Sequence, residues 1–204
     1  MSVLSMYKFG TQDDAICKAS WLHNAKGADD FLCKSFDDMQ VEEGYFIRYE
    51  TMLKQARMMP PKMRLSYLDN DAVHLRRQVA LRPNLNGRAI GAVRTDSPRW
   101  PFNCGAIYAE TGPDLVQFLE CLLSHKEDCL KIGDNHADEH AFARAAEEYP
   151  HLVASLDPAW NDWARAAGER LIPTVVQAFH SMPMPHKLEA VKATVELSQK
   201  TWPI

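Results

Sequence analysis

The chain has 204 residues, enough for one domain or a domain with a small appendage. Its hydrophobic content of 46% and charged content of 25% are ordinary for a globular protein, and a net charge of −4 gives no global reason to bind nucleic acid. Five cysteines (17, 33, 104, 121 and 129), an odd number with no Cys-x-x-Cys spacing, suggest neither a disulfide framework nor a zinc knuckle. The first ten residues are too few and too polar for a secretion signal, and no apolar run nears the ~18 residues a membrane span needs. With no transmembrane segment, the sequence reads as cytoplasmic.

The apolar run Val3 to Phe9 predicts a strand. Thr11 then caps a helix with Asp13 and Asp14 in its first turn, continuing through Ile16, Ala19 and Leu22 and stopping near Gly27. "DDFLCKSF" suits a second strand. Residues 42–58 predict a helix with Phe46, Tyr49, Leu53 and Ala56 on one side, ended by Pro60-Pro61. "MRLSYL" is the next strand, and "GRAIGAV" and "NCGAIYAE" are two more. Thr111 and Asp114 form the pattern of a capping box around Pro113, ahead of an apolar stripe of Leu115, Phe118, Leu119, Leu122 and Leu123. A helix over about 136–149 turns Ala141, Phe142, Ala145 and Tyr149 inward. "PTVVQAF" predicts a last strand ending at His180, and "KLEAVKATVELSQK" a final helix. Alternating strands and helices make this a single α/β domain, a mixed sheet flanked by helices.

Two features of charge stand out. Between Arg76 and Arg99 lie six arginines (76, 77, 82, 88, 94, 99) and one acid, Asp96. Such a run suits donor phosphates, an anionic glycan or a nucleic-acid backbone, and equally a solvated face. The second is Asp69-Asn70-Asp71, at the end of a strand that should be buried. Two carboxylates there are costly unless something cationic meets them. Ligands of open α/β sheets gather beyond the C-terminal strand ends, where Asp69, Asp71 and His180 all fall. Hard carboxylate oxygens suit Mg²⁺ or Mn²⁺, an added imidazole favours Mn²⁺, and such ions complete their shells with water and phosphates. The plainer role for the two aspartates is to cap a turn.

"YLDNDAV" resembles the Asp-x-Asp stretch of GT-A glycosyltransferases, nearest to the glycogenin-like and lipopolysaccharide galactosyltransferase group. Further pieces are similar to that family's in the same order: "FNCGAIYAE" (102–110), "DNHADEHAF" (134–142) with "LDPAWN" (156–161), and "VVQAFHSMPMPHK" (175–187). The resemblance implies a GT-A-like (Rossmann-like) fold and a metal-dependent transfer of sugar from a nucleotide-sugar donor, a UDP-sugar foremost. Asp69, Asp71 and His180 would hold Mn²⁺ or Mg²⁺, with Asn70, Lys187 and Arg76 toward the donor. Asn103 would face the donor sugar, and Asp134, Asp138 or Glu139 the acceptor hydroxyl, with one of the three as base. Acids in a first helical turn also serve the dipole alone. The acceptor class (glycan, protein or nucleic acid) and the oligomeric state leave no signature in the sequence.

Two other readings compete. "HADEH" (136–140) matches a zinc-peptidase pattern, with His136 and His140 one turn apart. A non-catalytic or degenerate nucleotide-sugar-binding protein would keep the fold and lose the chemistry.

Overall fold

The computed structural model describes residues 2–9, 14–26, 28–36, 41–75, 82–163, 175–179, 182–183 and 186–201. The first half alternates as expected: β1 (Ser2–Phe9), α1 (Asp14–Ala25), β2 (Asp30–Phe36), α2 (Val41–Met58), β3 (Arg64–Leu68) and the short β4 (Ala72–His74). The second half holds β5 (Ile90–Arg94), β6 (Phe102–Glu110), α3 (Pro113–Ser124), α4 (Lys126–Leu130) and α5 (Ala137–Glu148). It closes with β7 (Val153–Leu156), β8 (Asp162–Trp163), β9 (Val176–Ala178) and α6 (His186–Thr201).

Six strands form the main sheet in the order β2-β1-β3-β6-β5-β7. β6 runs antiparallel to both its neighbours, while the other pairings are parallel. The sheet is buried on both faces because alternate side chains of each strand point opposite ways. Val3 and Tyr7 of β1, Leu65 and Tyr67 of β3, and Ile107 and Ala109 of β6 pack with α2, α3 and α5. Leu4 and Met6, Leu68, and Ala106 and Tyr108 point to the other side, where they meet Val176 and Ala178 of β9.

A second sheet of three very short strands, β4-β9-β8, was not foreseen. The expected strand "PTVVQAF" contributes only Val176–Ala178, and it pairs with β4 rather than joining the main sheet. Residues 173–174 of that stretch and His180 at its end lie outside the described residues. The two sheets are joined by Asp69-Asn70-Asp71, a turn closed by Ala72 N–H donating to Asp69 O at 3.0 Å. Ser20 and Asn24 of α1 fix this connection, donating to Asn70 O (2.6 Å) and Ala72 O (2.8 Å).

The expected capping box at Thr111 is also corrected. The residue before α3 is Gly112, and no side chain caps the helix. Thr111 Oγ1 instead accepts from Met63 N (2.9 Å) and donates to Pro60 O (2.6 Å), tying the approach to β3 to the end of β6. Local pattern suggested a cap, but tertiary partners claimed the hydroxyl.

The helix α5 is anchored by Phe142, fully buried with Phe102 on one side (5.1 Å between ring centroids) and Phe118 on the other (5.2 Å). Truncating it removes both ring contacts and leaves a cavity. Phe142→Ala should therefore lower unfolding stability in urea by about 3–5 kcal/mol.

Candidate active site

The cation demanded by the two aspartates comes from two places. The first is Arg48, in a run of α2 whose neighbours Phe46, Ile47 and Tyr49 are all buried, and itself only 5% exposed. Its guanidinium lies 3.3 Å from Asp69 Oδ1 and 3.4 Å from Asp138 Oδ2, so one cation joins the strand-end turn to the first turn of α5. It also donates to Cys104 O (2.8 Å) and Tyr45 O (3.0 Å), and it sits 4.8 Å from the ring centre of Tyr67. Burial works against this charge, yet Tyr67, Asp69 and Asp138 outweigh it and hold the Arg48 pKa well above the ordinary value. The second cation is Lys187, in the first turn of α6, whose Nζ donates to Asp71 Oδ2 at 2.6 Å. A lysine at a helix N-terminus opposes the dipole, so the partner and not the helix holds it there.

Asp69 is held further by Tyr67, whose hydroxyl donates to Oδ1 at 2.5 Å, and by its own N–H on Gly105 O at 2.8 Å. The last contact continues the β3–β6 ladder beyond the Leu68–Ala106 pair, where β6 is irregular on its other side. Its register with β5 jumps from Ala92 opposite Ile107 to Val93 opposite Asn103, so Cys104 to Ala106 bow out of the β5 ladder. Asn103 shapes this bulge, because its Oδ1 accepts from Gly105 N (2.9 Å) and from Asn161 Nδ2 (2.8 Å). The "LDPAWN" segment is therefore linked to this bulge through Asn161.

Asp138 is 3% exposed. Burial pushes its carboxyl up, Arg48 pulls it down, Asp69 pushes it up again, and the balance is a raised pKa. Glu139 is raised by burial and by Asp138, against the pull of Cys104 N–H, which donates to Oε1 at 3.2 Å, and of His136. Asp134 stands apart from the Arg48 cluster: it accepts from His136 N (2.9 Å) and pairs with His140 Nε2 (2.9 Å).

The structure thus gathers Asp69 and Asp138 about Arg48, and Asp71 with Lys187. Asn103 lies beneath, in the β6 bulge, and Asp134 is paired elsewhere. Asn70 presents its carbonyl to Ser20. His180 and Arg76 fall outside the described residues. Asp69 and Asp71 offer only hard oxygens on one short turn, a donor chemistry that fits Mg²⁺ or Mn²⁺.

Arg48, which joins Asp69 to Asp138, carries no motif that marks it in the sequence. The available signal was "GYFIRYE", a lone cation embedded among aromatic and apolar residues of a helix that must pack on a sheet.

The zinc-peptidase pattern fares differently. His136 Nδ1 pairs with Glu139 Oε2 (2.7 Å) and His140 turns to Asp134, while the Trp100 ring stacks on His136 at 4.0 Å. Among the described residues these histidines form no three-ligand cluster. Three arginines of the basic segment contact the protein itself: Arg82 pairs with Asp29 (2.9 Å), Arg88 donates to Pro150 O (2.9 Å), and Arg94 lies over Phe102.

No protein-family model and no curated protein matches the sequence. Solved structures do match in fold. A glycosyltransferase involved in glycosylating the major capsid of the virus PBCV-1 superposes with a TM-score of 0.70 at 11% identity, covering 95% of this chain and 100% of its own. The galactosyltransferase LgtC, solved with donor and acceptor sugar analogues, gives 0.59 at 10% identity over 97% and 95% of the two chains. GlyE of Streptococcus pneumoniae gives 0.55 at 8%, covering 99% of this chain and 63% of that one. The chain has the GT-A glycosyltransferase fold.

The raised pKa of Asp138 carries a stability consequence. Between the unfolded value of about 3.9 and the higher folded value, the folded protein binds the extra proton, so stability falls as pH rises through that window. Asparagine has no such penalty. In metal-free protein, the stability of Asp138→Asn relative to wild type should grow as pH is raised from about 4 and then level off. Urea melts across pH 4–8 check this; a difference that does not change with pH contradicts it.

Proposed function

We propose that this chain is a metal-dependent glycosyltransferase that moves a sugar from a nucleotide-sugar donor, a UDP-sugar foremost, to an acceptor hydroxyl. The observation that carries the reading is the convergence of Asp69 and Asp138 on buried Arg48, beside the Asp71–Lys187 pair, at one end of a GT-A sheet. The glycosyltransferases that share the fold support the reaction class.

Asp69, Asp71 and His180 would hold Mn²⁺ or Mg²⁺. The pairing of Ala178 with Ala72 supports including His180, since it brings the end of β9 alongside the residue that follows Asp71. When bound, the ion supplies positive charge for the donor diphosphate. In the transfer, the bond between the anomeric carbon and the phosphate oxygen breaks, and its electron pair leaves on the nucleoside diphosphate. Lys187 answers the negative charge that grows there. The acceptor hydroxyl forms the new bond to the anomeric carbon and gives its proton to Asp138. A carboxylate with a raised pKa is a better base for this than an ordinary aspartate.

Arg48 is a positioning residue that keeps the donor-side Asp69 and the acceptor-side Asp138 in register. Asn103 works through the shape of the β6 bulge, and Asp134 through the orientation of the first turn of α5. Trp100, half-buried and stacked on His136 just ahead of α5, suits an acceptor sugar ring.

The division of roles is testable by calorimetry with UDP and Mn²⁺. Asp71→Ala should lose nucleotide binding together with transfer and slow donor hydrolysis, whereas Asp138→Ala should lose transfer and keep binding. Equal loss of nucleotide binding in both variants would place the acidic helix turn in the metal site and overturn the assignment.

A further inference from the structure

At the opposite end of α5 from Asp138, ~15 Å along the helix axis, three ligand-type side chains meet. Cys121 lies in the last turn of α3, His125 follows four residues later at the junction with α4, and Glu148 is the last residue of α5. Cys121 Sγ is 3.8 Å from His125 Nε2 and 3.4 Å from Glu148 Oε2, and His125 Nε2 is 2.8 Å from Glu148 Oε1. Among the described residues this is the one place where three His, Cys, Asp or Glu ligand atoms come within 4.8 Å of one another.

We infer that Cys121, His125 and Glu148 form a zinc-type metal site separate from the Asp69–Asp71 turn. Bond lengths of ~2.0–2.3 Å in a tetrahedral shell place ligand atoms ~3.4–3.6 Å apart. Both sulfur distances are already close to that. The histidine–glutamate pair must open by about half an ångström, which follows when the proton they share no longer holds them. A thiolate, an imidazole and a carboxylate together select a borderline-soft ion such as Zn²⁺ over the hard cations suited to the two aspartates.

The electrostatics of the place agree independently. The C-terminal ends of α3 and α5 converge here, their last turns carry no basic residue, and Glu148 adds a further negative charge. Helix C-termini favour cations, and no lysine or arginine of those turns provides one. The ion would enter as the thiol proton leaves to solvent, and a water would take the fourth position. The bound ion would clamp the end of α3 to α5, the helix whose first turn bears Asp138 and Glu139.

Cobalt(II) titration of the full-length, chelator-stripped protein tests this, because only thiolate ligation gives a near-ultraviolet charge-transfer band. The expected result is a band that saturates at a single equivalent of metal, persists in an Asp69→Asn/Asp71→Asn variant and disappears in Cys121→Ser. Glu148→Gln, an exposed and mild change, should raise the cobalt midpoint by about ten-fold or more. No band in the wild type, or a band that survives Cys121→Ser through the exposed Cys33, would overturn the site.

Discussion

The site depends on one buried cation. Arg48 faces two carboxylates drawn from distant parts of the chain, and both it and Asp138 are almost entirely removed from water. Breaking such a cluster from one side leaves an unpaired buried charge and costs about 3–5 kcal/mol. The protein offsets this by filling the guanidinium's other donor positions with Cys104 and Tyr45 carbonyls and by surrounding it with Tyr45, Tyr49 and Tyr67. Helix α2, strand β3, the β6 bulge and helix α5 are all tied to the same side chain. A shift in any of them would be felt at the others.

Burial of its carboxyls also gives the site its character. Asp71 pairs with Lys187, and Arg48 is shared between Asp69 and Asp138. Asp138 and Glu139 accordingly sit above the ordinary carboxylate range, with burial as the main cause in both. Carboxyls shifted in this way are a common mark of a functional site.

Most of the main sheet and its helices were legible in the sequence, because long apolar runs and amphipathic periods survive without tertiary information. The Asp69–Asp71 pair was legible for a different reason: its cost implied a cation. Which cation was not legible, since Arg48 lies 21 residues before Asp69 in the chain and its burial shows only once α2 packs on the sheet. Lys187 could be named only from a family resemblance. The second sheet escaped because strands of two or three residues are too short to show alternation. Thr111 misled because a hydroxyl before a helix reads as a cap until its distant partners are known.

The central claim is that the turn Asp69–Asp71 receives the metal and diphosphate of a sugar donor. The most direct measurement is a crystal structure grown with UDP and Mn²⁺, using the anomalous signal of manganese to locate the ion. The account predicts a peak against the carboxylates of Asp69 and Asp71, with Lys187 turned from Asp71 toward phosphate. An ion bound elsewhere, with the Asp71–Lys187 pair intact and the nucleotide absent from that end of the sheet, would contradict it.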